Sequence, residues 1–295
     1  MSVKLSHPDK VLWPKTAGTP AFAKKDLYDY YDKAAARILP HVIERPLSIV
    51  RAPDGIDGQK FFQRHVMEGI GNMAPVKVKG EAKPYMSIEG KDGLLQLAQI
   101  AALEFHPWGS KRGDPETPER LIFDLDPAPG MEFERVVDAA KQLRERLRAC
   151  GLAPFLKTTG GKGLHVVTPI AGTSKRPATW EDARRFAADL CAGMEADEPD
   201  RYTTNMRKAA RTNKVFLDYL RNAKSATAVA PWSPRARPSA TVAVPIPWSK
   251  ATAKLDPHRY TLASAAAFLR AADPWKEMGQ AARALDAAAK RLKKM

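Results

Sequence analysis

The sequence predicts an α/β (α+β) fold, and three observations carry that reading. Apolar residues recur at helical spacing in three long stretches. Short apolar runs with strand character lie between them, and Gly- and Pro-rich turns separate the two kinds of segment. With 44% hydrophobic residues in 295, the chain holds enough apolar material for one large domain or two ordinary ones.

Asp26 to Leu39 puts Leu27, Tyr30, Tyr31, Ala34 and Ile38 on one face of a helix that Pro40 is expected to stop. "RPLSIVRAPDGIDGQKFFQRH" reads as strand, Gly-rich turn and strand, and Asp92 to Ala102 as a short buried helix entering "LEFHPWG". The polar stretch 110–119, "SKRGDPETPE", reads as a linker inside a single domain of two lobes, about 1–112 and 120–295. After "LIFDLDP" comes a helix from Glu132 to Cys150, with the stripe Phe133, Val136, Val137, Ala140, Leu143 and Leu147 and a Gly151 cap. "APFLKT" and "LHVVTPI" are strands joined by "TGGKG"; a helix follows from Trp180 to Met194, then the strand "KVFLDYL". The Ala- and Lys-rich tail, 276–295, reads as a C-terminal helix too short for a coiled coil.

Lys and Arg number 48 against 33 acids, a net charge of +15 that favours a polyanionic partner, nucleic acid first. No apolar run approaches membrane-spanning length and the N-terminus has no apolar signal core, so a cytoplasmic protein with no membrane partner is expected. Cys150 and Cys191 form no Cys-x-x-Cys pair and are expected to be buried free thiols.

Three short pieces place polar groups in or beside apolar strands: "IFDLD" with Asp124 and Asp126, "GGKGLHVV" with Lys162 and His165, and "KVFLDYLRN" with Asp218. Side chains alternate along a strand, so Asp124 and Asp126 leave the same face with Cα atoms roughly 7 Å apart. Two such carboxylates repel, and a cation should lie between them. Magnesium or manganese takes oxygen ligands, and a third aspartate allows a two-ion site. "TGGKG" offers glycine N–H groups to a phosphate but lacks the ending of a P-loop, and a tight hairpin explains it equally well. Arg51, Lys60 and Arg64 flank Phe61 and Phe62, a pattern suited to base stacking beside a phosphate track; only one of the two rings is expected to be free of the core. Arg207, Lys208, Arg211 and Lys214 lead into Asp218, and Arg235 and Arg237 lie in a proline-rich loop.

Taken in order, "LIFDLD", "GLH" and "FLD" resemble the three motifs of the archaeo-eukaryotic primase superfamily. The longer pieces "HPDKVLWP", "RAPDGIDGQKFFQRH", "LEFHPWG", "RLIFDLDP", "KGLHVV", "FLDYLRN" and "APWSPRARP" resemble the polymerase domain of the bacterial non-homologous end-joining ligases of the ligase D type, over about residues 5 to 250. The resemblance implies a primase-like fold with two mixed or antiparallel sheets flanked by helices. It also implies template-directed addition of NTP or dNTP to 3′ ends, in gap filling and end joining, with two Mn2+ or Mg2+ ions. By the same resemblance Asp124, Asp126 and Asp218 are the catalytic metal ligands. Thr159, Lys162, His165 and Arg235 hold the triphosphate, and His106, Phe61 and Phe62 position the nucleotide. Arg51 and Arg211 meet the template or primer, and Lys10 with Lys24 or Lys25 receives a downstream 5′-phosphate. DNA with gaps or double-strand breaks is the implied partner, alongside a Ku-type protein and a ligase, at the nucleoid.

The chain departs from the longer family members in length. A ligase needs Lys-x-Asp-Gly, whereas "EGKDG" lacks the intervening residue and "APDG" has Ala52 where the lysine belongs, so no ligase activity is expected. A stand-alone polymerase is expected rather than an excised domain. Two other classes use the same residues: a two-metal nuclease would need the aspartates but no base-holding Phe pair, and a non-enzymatic DNA-end-binding module would use them only to cap turns.

Overall fold

A computed structural model describes residues 3–67, 70–173 and 176–295 and divides the chain into two compact units. The first unit takes residues 1–115, 227–244 and 258–273; the second takes 116–226, 245–257 and 274–295. The chain leaves the first unit at Pro115, within the expected linker, but returns to it twice. The second lobe is therefore not the continuous stretch 120–295.

In the first unit, β1 (Val11–Trp13) pairs with β2 (Phe22–Ala23), which runs directly into α1 (Lys24–Val42). Pro40 does not stop α1, contrary to expectation. It lies in the last turn, and the Ile43 N–H closes the helix on the Leu39 carbonyl at 2.9 Å. There the proline removes only one late hydrogen bond, a smaller penalty than in a helix interior. An antiparallel sheet follows, in which β3 (Leu47–Arg51) pairs with β4 (Phe61–Gln63), with β6 (Tyr85–Ser87) and with β7 (Ala102–Pro107), while β5 (Ala74–Val76) pairs with β6. Helix α2 covers Lys91–Gln99 and ends before the expected Ala102, because Ala101 takes a left-handed turn at φ 54° that aims the chain into β7. Leu27, Tyr31, Ile38, Leu94, Leu97, Leu103 and Phe105 are fully buried.

The second unit holds a mixed sheet ordered β11 (Tyr202–Thr203), β12 (Val215–Asp218), β8 (Arg120–Pro127), β10 (Leu164–Ala171), β9 (Phe155–Thr158), β13 (Pro245–Ile246), with Arg283–Ala284 added in parallel to β10. Leu121, Phe123 and Leu125 of β8 are fully buried, and the alternate residues Ile122, Asp124 and Asp126 leave the other face. Helix α3 (Phe133–Ala149) buries its Val136, Val137, Ala140, Leu143 and Leu147 stripe and packs against β8 and β10. Gly151, at φ 81°, ends it: the Leu152 N–H reaches the Leu147 carbonyl at 2.9 Å, a closure that favours glycine in the left-handed position. Helix α4 runs Trp180–Asp197, a turn beyond the expected Met194, and its N-cap Thr179 accepts the Asp182 N–H at 3.1 Å. The tail is not one helix over 276–295; a 3-10 turn and the added strand precede a short helix, Leu285–Leu292. Cys150 and Cys191 are buried free thiols. Among the described residues, no helix is long and apolar enough to cross a membrane.

β12 stops at Asp218 while β8 continues, which leaves the Ile122 backbone without a strand partner on that side. Asn222, 1% exposed, fills the gap: its Oδ1 accepts the Ile122 N–H at 2.7 Å and its Nδ2 donates to the Ile122 carbonyl at 2.8 Å. Nδ2 also donates to the Tyr219 carbonyl at 2.8 Å, which fixes the 3-10 turn Leu220–Asn222 against the sheet. Asn222→Ala leaves two buried backbone groups unpaired and should lower unfolding free energy by about 2–4 kcal/mol. Chemical denaturation measures this, and a loss below ~1 kcal/mol would show that the amide is not holding the strand.

Candidate functional site

Strand register assembles the polar face of the second unit. Asp124 lies opposite Asp218 on β12 and opposite His165 on β10, and His165 lies opposite Lys157 on β9. Directly paired residues share a face, so Asp218, Asp124, His165 and Lys157 form one row across four strands, with Asp126 one step further along β8. All four members of the row are buried, Lys157 most deeply at 1% exposed.

A cation does stand against two of the aspartates, Asp218 and Asp124: it is Arg221, a side chain rather than the metal pair expected between Asp124 and Asp126. The Asp218 carboxylate accepts the Leu220 N–H at 2.9 Å, which tightens the chain into the 3-10 turn and swings the Arg221 guanidinium back. Its Nη2 lies 3.0 Å from Asp218 Oδ2 and 3.6 Å from Asp124 Oδ2. Sequence reasoning did not single this residue out, although its i+3 spacing from Asp218 within "FLDYLRN" was a usable signal. Arg211 stacks its guanidinium on the Phe216 ring, 3.6 Å from the centroid, and donates to the Met206 carbonyl at 2.7 Å.

The charges set one another's protonation. Burial pushes the Asp124 carboxyl up, but His165, Arg221 and Lys157 outweigh it and hold the group below its ordinary value. Burial and then Asp124 and Asp218 push Asp126 up to about 6. Asp218 is raised, by burial first and by Asp124, against the pull of Arg221. His165 falls to about 4, through burial and the Lys157 ammonium, despite the attraction of Asp124. It is therefore neutral at pH 7. Its Nε2 lies 3.2 Å from Asp124 Oδ1, and with the imidazole neutral the positive charges left acting on Asp124 are Arg221 and Lys157. His165 Nδ1 and Asp124 Oδ1 are both buried without a hydrogen-bond partner. Among the described residues, no three of His, Cys, Asp and Glu converge as a metal-holding group.

The "TGGKG" loop is a tight hairpin between β9 and β10, and two of its glycine amides do not face outward. Thr159 Oγ1 accepts the N–H groups of Gly161 at 3.1 Å and Gly163 at 3.3 Å and donates to the Gly163 carbonyl at 3.1 Å. A side chain at Gly163 would put a Cβ 2.4 Å from the Leu125 carbonyl oxygen, so glycine is required by close approach. Lys162 is exposed on the loop.

The remaining expected residues belong to the first unit. Glu104 and His106 share a face of β7, and Glu104 and Phe62 lie opposite Val50 from either side. The Phe62 and His106 rings are edge-to-face with centroids 5.9 Å apart. Both phenylalanines are exposed, Phe61 at 41% and Phe62 at 62%, which corrects the expectation that one would be packed in the core. Their strand, β4, is a three-residue strand at the sheet edge. The segment carrying Arg235 lies beside β7, where the Ala230 N–H donates to the Phe105 carbonyl at 2.8 Å and Ser233 Oγ accepts the Phe105 N–H at 3.0 Å. Arg51 is tied inward, to the Ile100 carbonyl at 3.0 Å and Gln63 Oε1 at 3.1 Å. Lys10 pairs with Asp54 at 2.7 Å, and the buried Lys24 donates to the Ser6 carbonyl at 2.9 Å. Burial, and then the neighbouring Lys10 charge, lower Lys24. Lys25 instead pairs along the helix with Asp29.

Residues 23–275 match the family model for the LigD primase-polymerase domain. The chain is 34% identical over 248 residues to the multifunctional non-homologous end joining protein LigD of Pseudomonas aeruginosa, covering 83% of this chain and 28% of that protein. It is 35% identical over 259 residues to the LigD end-joining DNA repair protein of Mycobacterium tuberculosis, covering 84% of this chain and 33% of that protein. It thus spans about a third or less of the length of these relatives. Among solved structures, the polymerase domain of Mycobacterium tuberculosis ligase D in complex with DNA superposes with a TM-score of 0.84 and 31% identity, covering 94% of this chain and 98% of that one. With this fold and this row of carboxylates, the chain belongs to the LigD primase-polymerase domain family of nucleotidyltransferases.

Proposed function

We propose that the chain adds nucleotides to DNA 3′ ends under template direction, filling gaps and extending ends in bacterial end joining, with two Mn2+ or Mg2+ ions as cofactors. The observation that carries this reading is that strand pairing and alternation put Asp124, Asp126 and Asp218 on one sheet face in a member of this family, without closing them into a ready-made metal cluster. The net charge of +15 and the DNA named in the solved relative support DNA as partner. A Ku-type protein and a ligase complete the joining reaction.

The donor set fits divalent ions. Three carboxylates supply hard oxygens, Asp126 is raised by burial and then by its neighbours' charge, and Asp124 Oδ1 is buried without a hydrogen-bond partner. Asp124 and Asp126 would hold both ions and Asp218 one of them. When bound, such ions neutralise developing charge on the phosphates and activate the attacking hydroxyl. In the second unit, Lys162 and His165 take triphosphate oxygens. His165 Nδ1 is buried without a hydrogen-bond partner, which supports a ligand role for it, and Thr159 acts by holding the loop in shape. Arg211 meets the template or primer. In the first unit, His106, Phe61, Phe62 and Arg235 contact the nucleotide, Arg51 supports the strand, and Lys10 with Lys24 receives the 5′-phosphate. Lys25, paired with Asp29 at the surface, is the alternative to Lys24, which is itself tied to the Ser6 carbonyl.

Two predictions follow from this reading of the aspartates. On a gapped, 5′-phosphorylated duplex with manganese and single NTPs or dNTPs, the protein should lengthen the primer. Asp124→Ala, Asp126→Ala and Asp218→Ala should each cut extension at least about a hundredfold while DNA affinity persists. Primer shortening by the unmodified protein would instead identify a nuclease, and binding without chemistry an end-binding module.

The second concerns pH. Asp126 titrates near 6 in the fold against 3.8 for a free carboxyl, so the folded state holds this proton more tightly. The stability it contributes is complete below about pH 4 and is lost as pH rises through 6. Without metal, Asp126→Asn should gain on the unmodified protein across that window. The gain is at most about 3 kcal/mol, and less because the side chain is partly solvated. Manganese at pH 7 should raise the melting temperature of the unmodified protein more than that of the variant. Parallel stability–pH curves for the two proteins would contradict the assignment.

A further inference from the structure

Glu104 has no role in the site as so far described, yet three polar groups meet its carboxylate. It is 6% exposed on β7, and its Oε1 accepts the Ala236 N–H at 2.8 Å. Its Oε2 lies 2.9 Å from His106 Nε2 and 3.1 Å from Arg235 Nε. Burial alone would raise its pKa, but His106, Arg235 and the Ala236 amide reverse that and hold it at about 2. It stays anionic throughout the working pH range. The two side chains it touches are those proposed above to meet the nucleotide from this unit, and they come from segments about 130 residues apart in sequence. A buried carboxylate costs several kcal/mol of desolvation, and replacing such an ion group by apolar residues is often neutral or stabilising. Packing alone therefore gives little reason for a glutamate at this point.

We propose that Glu104 is a positioning residue for the nucleotide: it clamps His106 and Arg235 into one preorganised pair and so sets nucleotide affinity. Each contact fixes a distinct degree of freedom. The carboxylate at Nε2 orients the imidazole and favours the tautomer with its proton there. The charge facing Nε, 3.1 Å away without hydrogen-bond alignment, attracts the guanidinium, and the Ala236 N–H on the other oxygen ties its loop to β7. Phe62, edge-on to His106, is ordered through the same imidazole. Without the carboxylate, Arg235 and His106 keep their chemistry but must be ordered when the nucleotide binds, which weakens binding without changing the bond-forming step. The inference rests on the proposed nucleotide-contacting roles of His106 and Arg235.

The test is steady-state gap extension with Glu104→Gln and Glu104→Asp, each also combined with Arg235→Ala, and with DNA affinity and melting temperature measured in parallel. Glu104→Gln should raise the nucleotide KM about tenfold with kcat within about twofold and DNA affinity unchanged, and Glu104→Asp should fall between it and the unmodified protein. In the Arg235→Ala background most of the Glu104→Gln effect should vanish, because the residue it acts through is gone. An unchanged KM would overturn the proposal. So would a KM effect of full size in the Arg235→Ala background, or loss of DNA affinity and melting temperature in proportion to activity. Should Glu104→Gln fold poorly, Glu104→Asp and its double variant decide by the same criteria. Failure of the unmodified protein to extend any primer would count against the function itself; normal extension with insensitive Glu104 variants would count against this inference alone.

Discussion

Three carboxylates forced onto one face of a sheet create a repulsion that the second unit must offset. The antiparallel pairing of β8 with β12 brings Asp218 beside Asp124, and strand alternation adds Asp126. None of this favours folding. Arg221 relieves Asp124 and Asp218 but leaves Asp126 at about 6, so part of the electrostatic cost is retained in the folded chain. A site held in this condition is predisposed to bind cations, because each bound charge removes repulsion already present.

The pentapeptide from Asp218 to Asn222 shows how closely structure and site are joined. Asp218 accepts the amide that starts the turn, Leu220 donates it, Arg221 returns to the carboxylates, and Asn222 completes the sheet at Ile122. The strand must end at Asp218 for Arg221 to turn back, and the amide of Asn222 replaces the strand hydrogen bonds that are lost. The Thr159 hydroxyl plays a comparable part in the hairpin between β9 and β10, where it satisfies the amides of Gly161 and Gly163.

Glu104 and Asp126 are opposite solutions to the same problem. Both are acids withdrawn from bulk water. Glu104 is surrounded by donors and titrates near 2, whereas Asp126 has acidic neighbours and titrates near 6. The first environment suits a fixed anchor that never changes charge. The second suits a ligand whose charge is best satisfied by a metal ion.

The local chemistry of the chain determined a good deal by itself. Helical periodicity located α1, α3 and α4 to within a few residues, and "LIFDLD", "KGLHVV" and "FLD" were legible because a carboxylate or imidazole in an apolar run is conspicuous. Alternation alone required Asp124 and Asp126 to share a face. Other features depended on which segments meet. The return of 227–244 and 258–273 to the first unit, the exposure of both Phe61 and Phe62 on an edge strand, and the engagement of Thr159 within its own hairpin leave no periodic signature. Arg221 and Glu104 were also hidden: an arginine in a turn and a glutamate in a strand are ordinary residues until strand pairing and loop docking bring their partners within about 3 Å. Periodicity records which face a side chain takes along its own element, but only tertiary packing decides which charge stands opposite it, and that choice set the electrostatics of both polar clusters.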